Sequence, residues 1–159
     1  MFHLDDIDLK ILDILQKKGR TKRNELAELV DLSIPSVSER LKKLEELKYI
    51  LSYNGILNYK LLGLDITAFI QITVDSSKHY QTFIDHTINV DEIQEVHAIT
   101  GNGTHLLKVK TENTATLEKL LSKIQAWSGV VKTTTSLVLS SHKESTKIKI
   151  TKKKEQAND

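Results

Sequence analysis

The chain has 159 residues, 39% hydrophobic and 28% charged, with a formal net charge of +2 and no cysteine. That is enough apolar material for one domain or two small ones. The missing thiols exclude a disulfide framework, a thiolate nucleophile and a thiolate metal site, and they suit a reducing cytoplasm. Charge is unevenly placed: residues 1–60 hold 11 Lys and Arg against 10 Asp and Glu, residues 61–141 hold 6 against 8, and residues 142–159 hold 6 against 3. The acidic section is in the middle and the cations lie towards the ends.

Leu4-Asp5-Asp6-Ile7-Asp8 opens a helix with acids at its positive end, where the macrodipole favours them. Ile7, Ile11, Leu12, Ile14 and Leu15 form its apolar stripe, Lys17 and Lys18 occupy the last turn, and Gly19 suits the C-cap. The helix is expected over about residues 5–18. Asp5, Asp6, Asp8 and Asp13 interrupt the apolar residues, which argues against a signal-peptide core or a membrane span. The expectation is a cytoplasmic protein that does not engage a membrane.

The stretch from Asn24 to Leu47 carries two further stripes, Leu26, Ala27, Leu29 and Val30, then Val37, Leu41, Leu44 and Leu47. Between them Asp31 sits where the chain must leave right-handed helix geometry, and Ser33 is a good N-cap with Pro35 just inside the next helix. Two short helices joined by a three-residue turn make a helix-turn-helix. With Val37, Leu41 and Leu44 inward, the second helix shows Pro35, Ser36, Ser38, Glu39, Lys42 and Lys43 on its other face. Short hydroxyls near the N-terminus with cations further along suit a recognition helix, whose first residues meet base edges while longer cations reach phosphates. The same face would also serve as an ordinary solvated surface.

Tyr49–Asn58 is rich in β-branched and aromatic residues around a central Asn54-Gly55, the pattern of a small hairpin or wing. This places a winged helix-turn-helix domain at residues 1–59 and a connector at 60–64. From Asp65 the apolar period changes to two: Ile66, Ala68, Ile70, Ile72 and Val74 alternate with Thr67, Phe69, Gln71 and Thr73. A helix follows Ser76 and Ser77, strands are expected at 93–100 and 104–111 around Gly101-Asn102-Gly103, a helix capped by Asn113 or Thr114 comes next, and 130–139 is a final strand. The order β-α-β-β-α-β is that of a ferredoxin-like sandwich, so the fold class is α+β. Such a sheet leaves one face bare, and pairing in a symmetric dimer is the common way to cover it. Lys147–Ile150 alternates like a fifth, edge strand, which extends the second domain over 65–150 and leaves 151–159 as a disordered basic tail.

The sequence at this point resembles the Lrp/AsnC, or feast/famine, transcriptional regulators. LDDIDLKILDILQKKGR is similar to that family's opening, ELAELVDLSIPSVSERLKKLEE to its helix-turn-helix, and YILSYNGILN to its wing. ITGNGTHLLKVKT lies where the family has its TGxxD segment, and SGVVKTTTSLVL resembles its last strand; the likeness runs over about residues 4–140 in one register. The resemblance implies a DNA-binding N-terminal domain and a C-terminal domain for dimerisation, assembly to an octamer and binding of an amino-acid effector between subunits. No other cofactor and no metal are expected, and the expected location is cytoplasmic and nucleoid-associated. Base contacts would fall to Ser36, Ser38 and Glu39, with Ser33 and Pro35 at the same end, and phosphate contacts to Lys22, Arg23, Arg40, Lys42 and Lys43. Gly101, Asn102, Gly103 and Thr104 mark the effector loop, where the family commonly carries acids. Neutral Asn102 and Thr104 would hold an amino acid's ammonium less well, unless Glu95 or an acid from another subunit substitutes.

Two other classes compete. An enzyme is disfavoured because His3, His79, His86, His97, His105 and His142 are scattered, and Gly101–Gly103 is a lone GxG between strands instead of a fingerprint opening a helix. An architectural DNA-wrapping protein without effector would differ from a regulator in having little sequence preference. The sequence is silent on the operator, the target genes, the sign of regulation, the effector's identity or whether one binds, and the size of the oligomer beyond a dimer.

Overall fold

The structure, a computed structural model, describes residues 3–151. It divides into two compact units: residues up to Ile56 together with those from Lys143 onward, and Leu57–His142.

The first unit is built on three helices, α1 (Asp6–Lys17), α2 (Arg23–Val30) and α3 (Ile34–Glu46). Ile11, Leu26, Ala27, Val30, Val37, Leu41 and Leu44 form its core, with Ile7, Leu12, Ile14 and Leu15 packed around them; of the expected stripes, Leu29 and Leu47 stay outside the core, 46% and 45% exposed. Asp5 caps α1 in a reciprocal box: its side chain accepts from the Asp8 N–H while the Asp8 side chain accepts from the Asp5 N–H. The helix ends at Lys18, and Gly19 does not take the left-handed conformation expected of it. Asp31 does, at φ 56° and ψ 51°, ending α2 where the turn begins. Ser33 caps α3 by accepting from the Ser36 N–H, with Pro35 in the first turn. Lys22 stands at the N-cap of α2 without a side-chain bond.

The expected wing hairpin does not form. Residues 51–58 carry no strand, and neither Asn54 nor Gly55 has the positive φ that a two-residue hairpin turn of this type needs. The Asn54 amide donates to the Ser52 hydroxyl at 2.8 Å. The Tyr53 hydroxyl instead donates to Glu45 at the end of α3, 2.9 Å away. An isolated two-stranded ribbon is marginal without a surface to pack on, and here these local side-chain bonds replace the ladder. The fifth strand at Lys147–Ile150 is likewise absent. That segment lies in the first unit, where the Gln16 side-chain amide bonds both backbone groups of Ile148: Nε2 donates to its carbonyl and Oε1 accepts from its N–H, each at 3.0 Å. A side-chain amide thus takes the place of a neighbouring strand. Of the expected tail, residues 152–159 lie outside the described residues.

The second unit is the βαββαβ sandwich: β1 (Ile66–Val74), a 3₁₀ turn (Ser77–His79), α4 (Tyr80–Ile88), β2 (Ile93–Ala98), β3 (His105–Thr111), α5 (Thr114–Gln125) and β4 (Val130–Leu137). The strands are antiparallel in the order β2-β3-β1-β4. Ala68, Ile70, Ile72 and Val74 of β1 share the buried face with Leu107 and Val109 of β3, and Phe83, Leu117, Leu120 and Ile124 of the helices close the core. Pairing of Phe69 with Lys108 and Ser136, and of Gln71 with Leu106 and Thr134, puts these residues together on the other face, where Phe69 is 37% exposed. Tyr59 belongs to this unit, with the Lys110 ammonium 3.0 Å above its ring centroid. Gly129, at φ +85°, ends the loop after α5 and passes so close to the His79 ring that a Cβ there would lie 2.5 Å from Nδ1.

Candidate nucleic-acid interface

Ser33, Pro35, Glu39, Lys42 and Lys43 are all exposed on α3 and its cap, and Lys22 and Arg23 are exposed at the start of α2. Ser36 and Ser38 are half-buried. The Ser33 and Ser36 hydroxyls lie 2.8 Å apart, which leaves the pair with one O–H to offer outward. Lys42 is 3.7 Å from Glu46, an exposed pair one helical turn apart that adds little stability and leaves the ammonium accessible. Tyr53, on the segment that follows α3, has its hydroxyl pKa pushed up to about 12 by burial and by the bond it donates to Glu45, so it stays a neutral donor throughout the physiological range. The start of α3 therefore presents hydroxyls and Pro35, with Glu39 in the next turn and the Lys42 and Lys43 ammonium groups one turn beyond it.

Arg40 is placed differently from its neighbours. Its Nη1 donates to Asp8 Oδ1 and to Asp5 Oδ2, both at 2.7 Å, so the guanidinium is turned to the start of α1 and not outward with Lys42 and Lys43. The Asp8 and Asp5 carboxylates raise the Arg40 pKa further. Burial disfavours the Asp5 carboxylate, but the Asp8 N–H and the Arg40 guanidinium outweigh it and hold the group below its ordinary range. Sequence reasoning placed Asp5 and Asp8 with the helix dipole and missed this role. Their spacing, acid at the N-cap and acid three residues on, signals a capping box, whereas the link to α3 needs the tertiary fold.

The effector loop contrasts with this surface. Gly101 and Asn102 are exposed, but Thr104 is built into the sheet. Its hydroxyl accepts from the Val74 N–H at 3.0 Å, donates to the Ile72 carbonyl at 3.2 Å and lies 2.9 Å from His105 Nδ1. A hydroxyl has one proton and two lone pairs, so with that proton on Ile72 the imidazole must donate from Nδ1, and Thr104 has no capacity left for a ligand. His105 is buried against Tyr80 and Phe83, at 4.9 and 4.8 Å between ring centres, and burial lowers its pKa. Gly103, at φ +148°, lies against the Ile72 backbone, 3.1 Å from where its Cβ would be. Glu95 faces Lys108 at 3.1 Å and His97 at 3.3 Å. Burial works against its charge, but those two partners hold its pKa below the usual value. Among the described residues, no group of three or more His, Asp or Glu side chains could hold a metal ion, and no helix is long and apolar enough to cross a membrane.

A helix-turn-helix unit joined to a four-stranded α+β sandwich is the architecture of a class of DNA-binding regulators. Residues 4–50 match the family model for winged helix-turn-helix DNA-binding, and residues 67–148 match that for the Lrp/AsnC ligand binding domain. The HTH-type transcriptional regulator FL11 of Pyrococcus furiosus is 35% identical over 147 residues, covering 92% of this chain and 97% of its own. The uncharacterized HTH-type transcriptional regulator YezC of Bacillus subtilis is 41% identical over 138 residues, covering 87% and 95%. Among solved structures, the transcriptional regulator NMB0573/L-Met complex from Neisseria meningitidis has a TM-score of 0.86 at 29% identity, covering 92% of this chain and 96% of its own. The chain belongs to the Lrp/AsnC family of transcriptional regulators, a family of DNA-binding proteins and not of enzymes.

Proposed function

We propose that the chain is a sequence-specific regulator that binds double-stranded DNA as a homodimer, with dimers assembling to an octamer. The observation that carries this reading is the outer side of the N-terminal half of α3, with half-buried Ser36 and Ser38 and exposed Glu39 as base-edge contacts beside exposed Ser33 and Pro35. Lys22, Arg23, Lys42 and Lys43 serve as phosphate contacts around them. Two such helices related by a dimer axis would read a pseudo-palindromic operator. The bare sheet face around Phe69 supports dimerisation through the second unit.

A small-molecule effector held between second units of neighbouring subunits belongs to this reading, supported by the ligand-binding-domain match and by the methionine complex of the Neisseria relative. With Asn102 neutral and Thr104 committed to β1, the loop is not the place where an effector's ammonium is received. Titration calorimetry with the twenty amino acids tests this: tight binding that is lost in Asn102→Ala would overturn it. Mobility shifts and footprints on the DNA upstream of the chain's own gene, set against unrelated DNA of equal length, test the whole reading. A regulator should favour its sites by a factor of about 10³ or more at physiological salt, whereas equal affinity for both would favour the architectural, DNA-wrapping alternative.

A further inference from the structure

We propose that Arg40 is a positioning residue for DNA reading: it clamps α3 to the start of α1 through Asp5 and Asp8, sets how α3 presents its base-contacting side chains, and does not itself meet a phosphate. The assignment rests on α3 being the reading helix.

The bonds form a closed set. Asp5 Oδ1 accepts from the Asp8 N–H at 2.8 Å and Asp8 Oδ2 from the Asp5 N–H at 3.1 Å, while the other oxygen of each carboxylate accepts from Arg40 Nη1 at 2.7 Å. All four carboxylate oxygens are thereby used. The Asp8 side chain is 4% exposed, Arg40's 30% and Asp5's 50%. A carboxylate as buried as Asp8 persists only with its charge paired and its lone pairs filled, so Arg40 is held where it is by Asp8's need as well as its own.

Two consequences follow for DNA. Val37, Leu41 and Leu44 press α3 into the core, but apolar attraction has no preferred direction, whereas hydrogen bonds weaken steeply off their axis. The Arg40 bonds thus set the roll of α3 about its own axis, and Arg40 adjoins Glu39 and lies within one turn of Ser36, Ser38, Lys42 and Lys43. Base readout needs side chains placed to within a fraction of an ångström. Moreover, one cation against two carboxylates leaves a local charge of −1, which repels a phosphate instead of drawing it in.

The experiment uses the full chain, with R40Q, the double variant D8N/R40Q and, for calibration, K43A. Affinity for the footprinted site and for unrelated DNA is measured across a salt series, beside thermal unfolding. R40Q leaves Asp8 buried without its cation, so it should melt well below wild type. D8N/R40Q removes both charges and should recover most of the melting temperature. In the double variant the ratio of specific to unrelated affinity should nevertheless fall about tenfold, while the salt slope stays at the wild-type value and that of K43A drops by about one. A slope reduced by about one in D8N/R40Q would make Arg40 a phosphate contact and overturn the proposal. An unchanged ratio in that variant would make the clamp purely structural, and loss of fold in both variants would make it a folding requirement; either outcome overturns it too. Absence of any preference in the wild type would instead sink the reading of α3 as a specific reader.

Discussion

The two candidate sites differ in what the fold does with their polar side chains. On α3 the residues expected at DNA stay mostly at the surface, whereas the Arg40 guanidinium is turned to Asp5 and Asp8 of α1. In the loop before β3 the one hydroxyl expected at an effector is consumed by β1 and His105. The contrast has a geometric origin. A helix bonds its own backbone and leaves its outer face free for partners, whereas a loop wedged at the end of a strand must satisfy backbone groups that the ladder no longer reaches. A helix face can therefore be read for function from its period, and a loop cannot.

Several changes would break or sharpen this contrast. The largest effect is expected from Leu44→Ala, which empties a fully buried site under the reading helix. It should cost about 2–5 kcal/mol and abolish DNA binding, while the sandwich still melts near its original temperature by differential scanning calorimetry; a fall in both transitions would refute independent cores. Next is Thr104→Val, which keeps the shape but strands the Val74 N–H and should cost the sandwich about 1–3 kcal/mol. If its melting temperature is unmoved, the hydroxyl is not structural and the effector role is open again.

Acid should separate the units in order. The folded-state pKa of His105 lies below the ordinary 6.5 because burial disfavours the charged ring. The unfolded chain then takes up a proton that the folded one refuses, so this contribution is complete above pH 6.5 and is lost as pH falls below it. Asp5 of the helical unit has its pKa lowered from 3.8, so its contribution lasts until pH falls below about that value. Circular dichroism at pH 7, 5.5 and 4 should show the sandwich weakening first, and equal weakening of both units at pH 5.5 would count against the His105 account. The smallest stability effect belongs to Lys43→Ala, within about 0.5 kcal/mol for a surface change. It should weaken binding to all sequences alike and flatten the salt slope by about one unit; a loss confined to the specific site would instead mean that Lys43 reads bases.

Where the sequence was legible, a repeating period carried the information. The stripes of α1, α2 and α3, apart from the exposed Leu29 and Leu47, the alternation of β1 and the caps Ser33 and Asn113 stand where their spacing put them. Asp31 took the left-handed position that the turn required. The failures are local signals without a tertiary partner. Asn54-Gly55 has the composition of a tight turn but neither residue the dihedral, and Lys147–Ile150 alternates like a strand yet bonds the Gln16 side chain instead of a neighbouring strand. The internal bonds of Arg40 were hidden for a related reason. Its row on α3 borders both the solvent and the core, and only Asp5 and Asp8, more than thirty positions away, decide between them.

The hook between Gln16 and Ile148 bears on how the protein is made. Synthesis runs from the N-terminus, and domains generally fold as they emerge, so the three helices can gather long before the sandwich exists. The strap that Gln16 grips is separated from it by 132 positions and is made only after the sandwich. The unit that begins folding first is therefore completed after the second has been made, and a chain halted before Ile148 would carry a helix-turn-helix unit without the strap on Gln16.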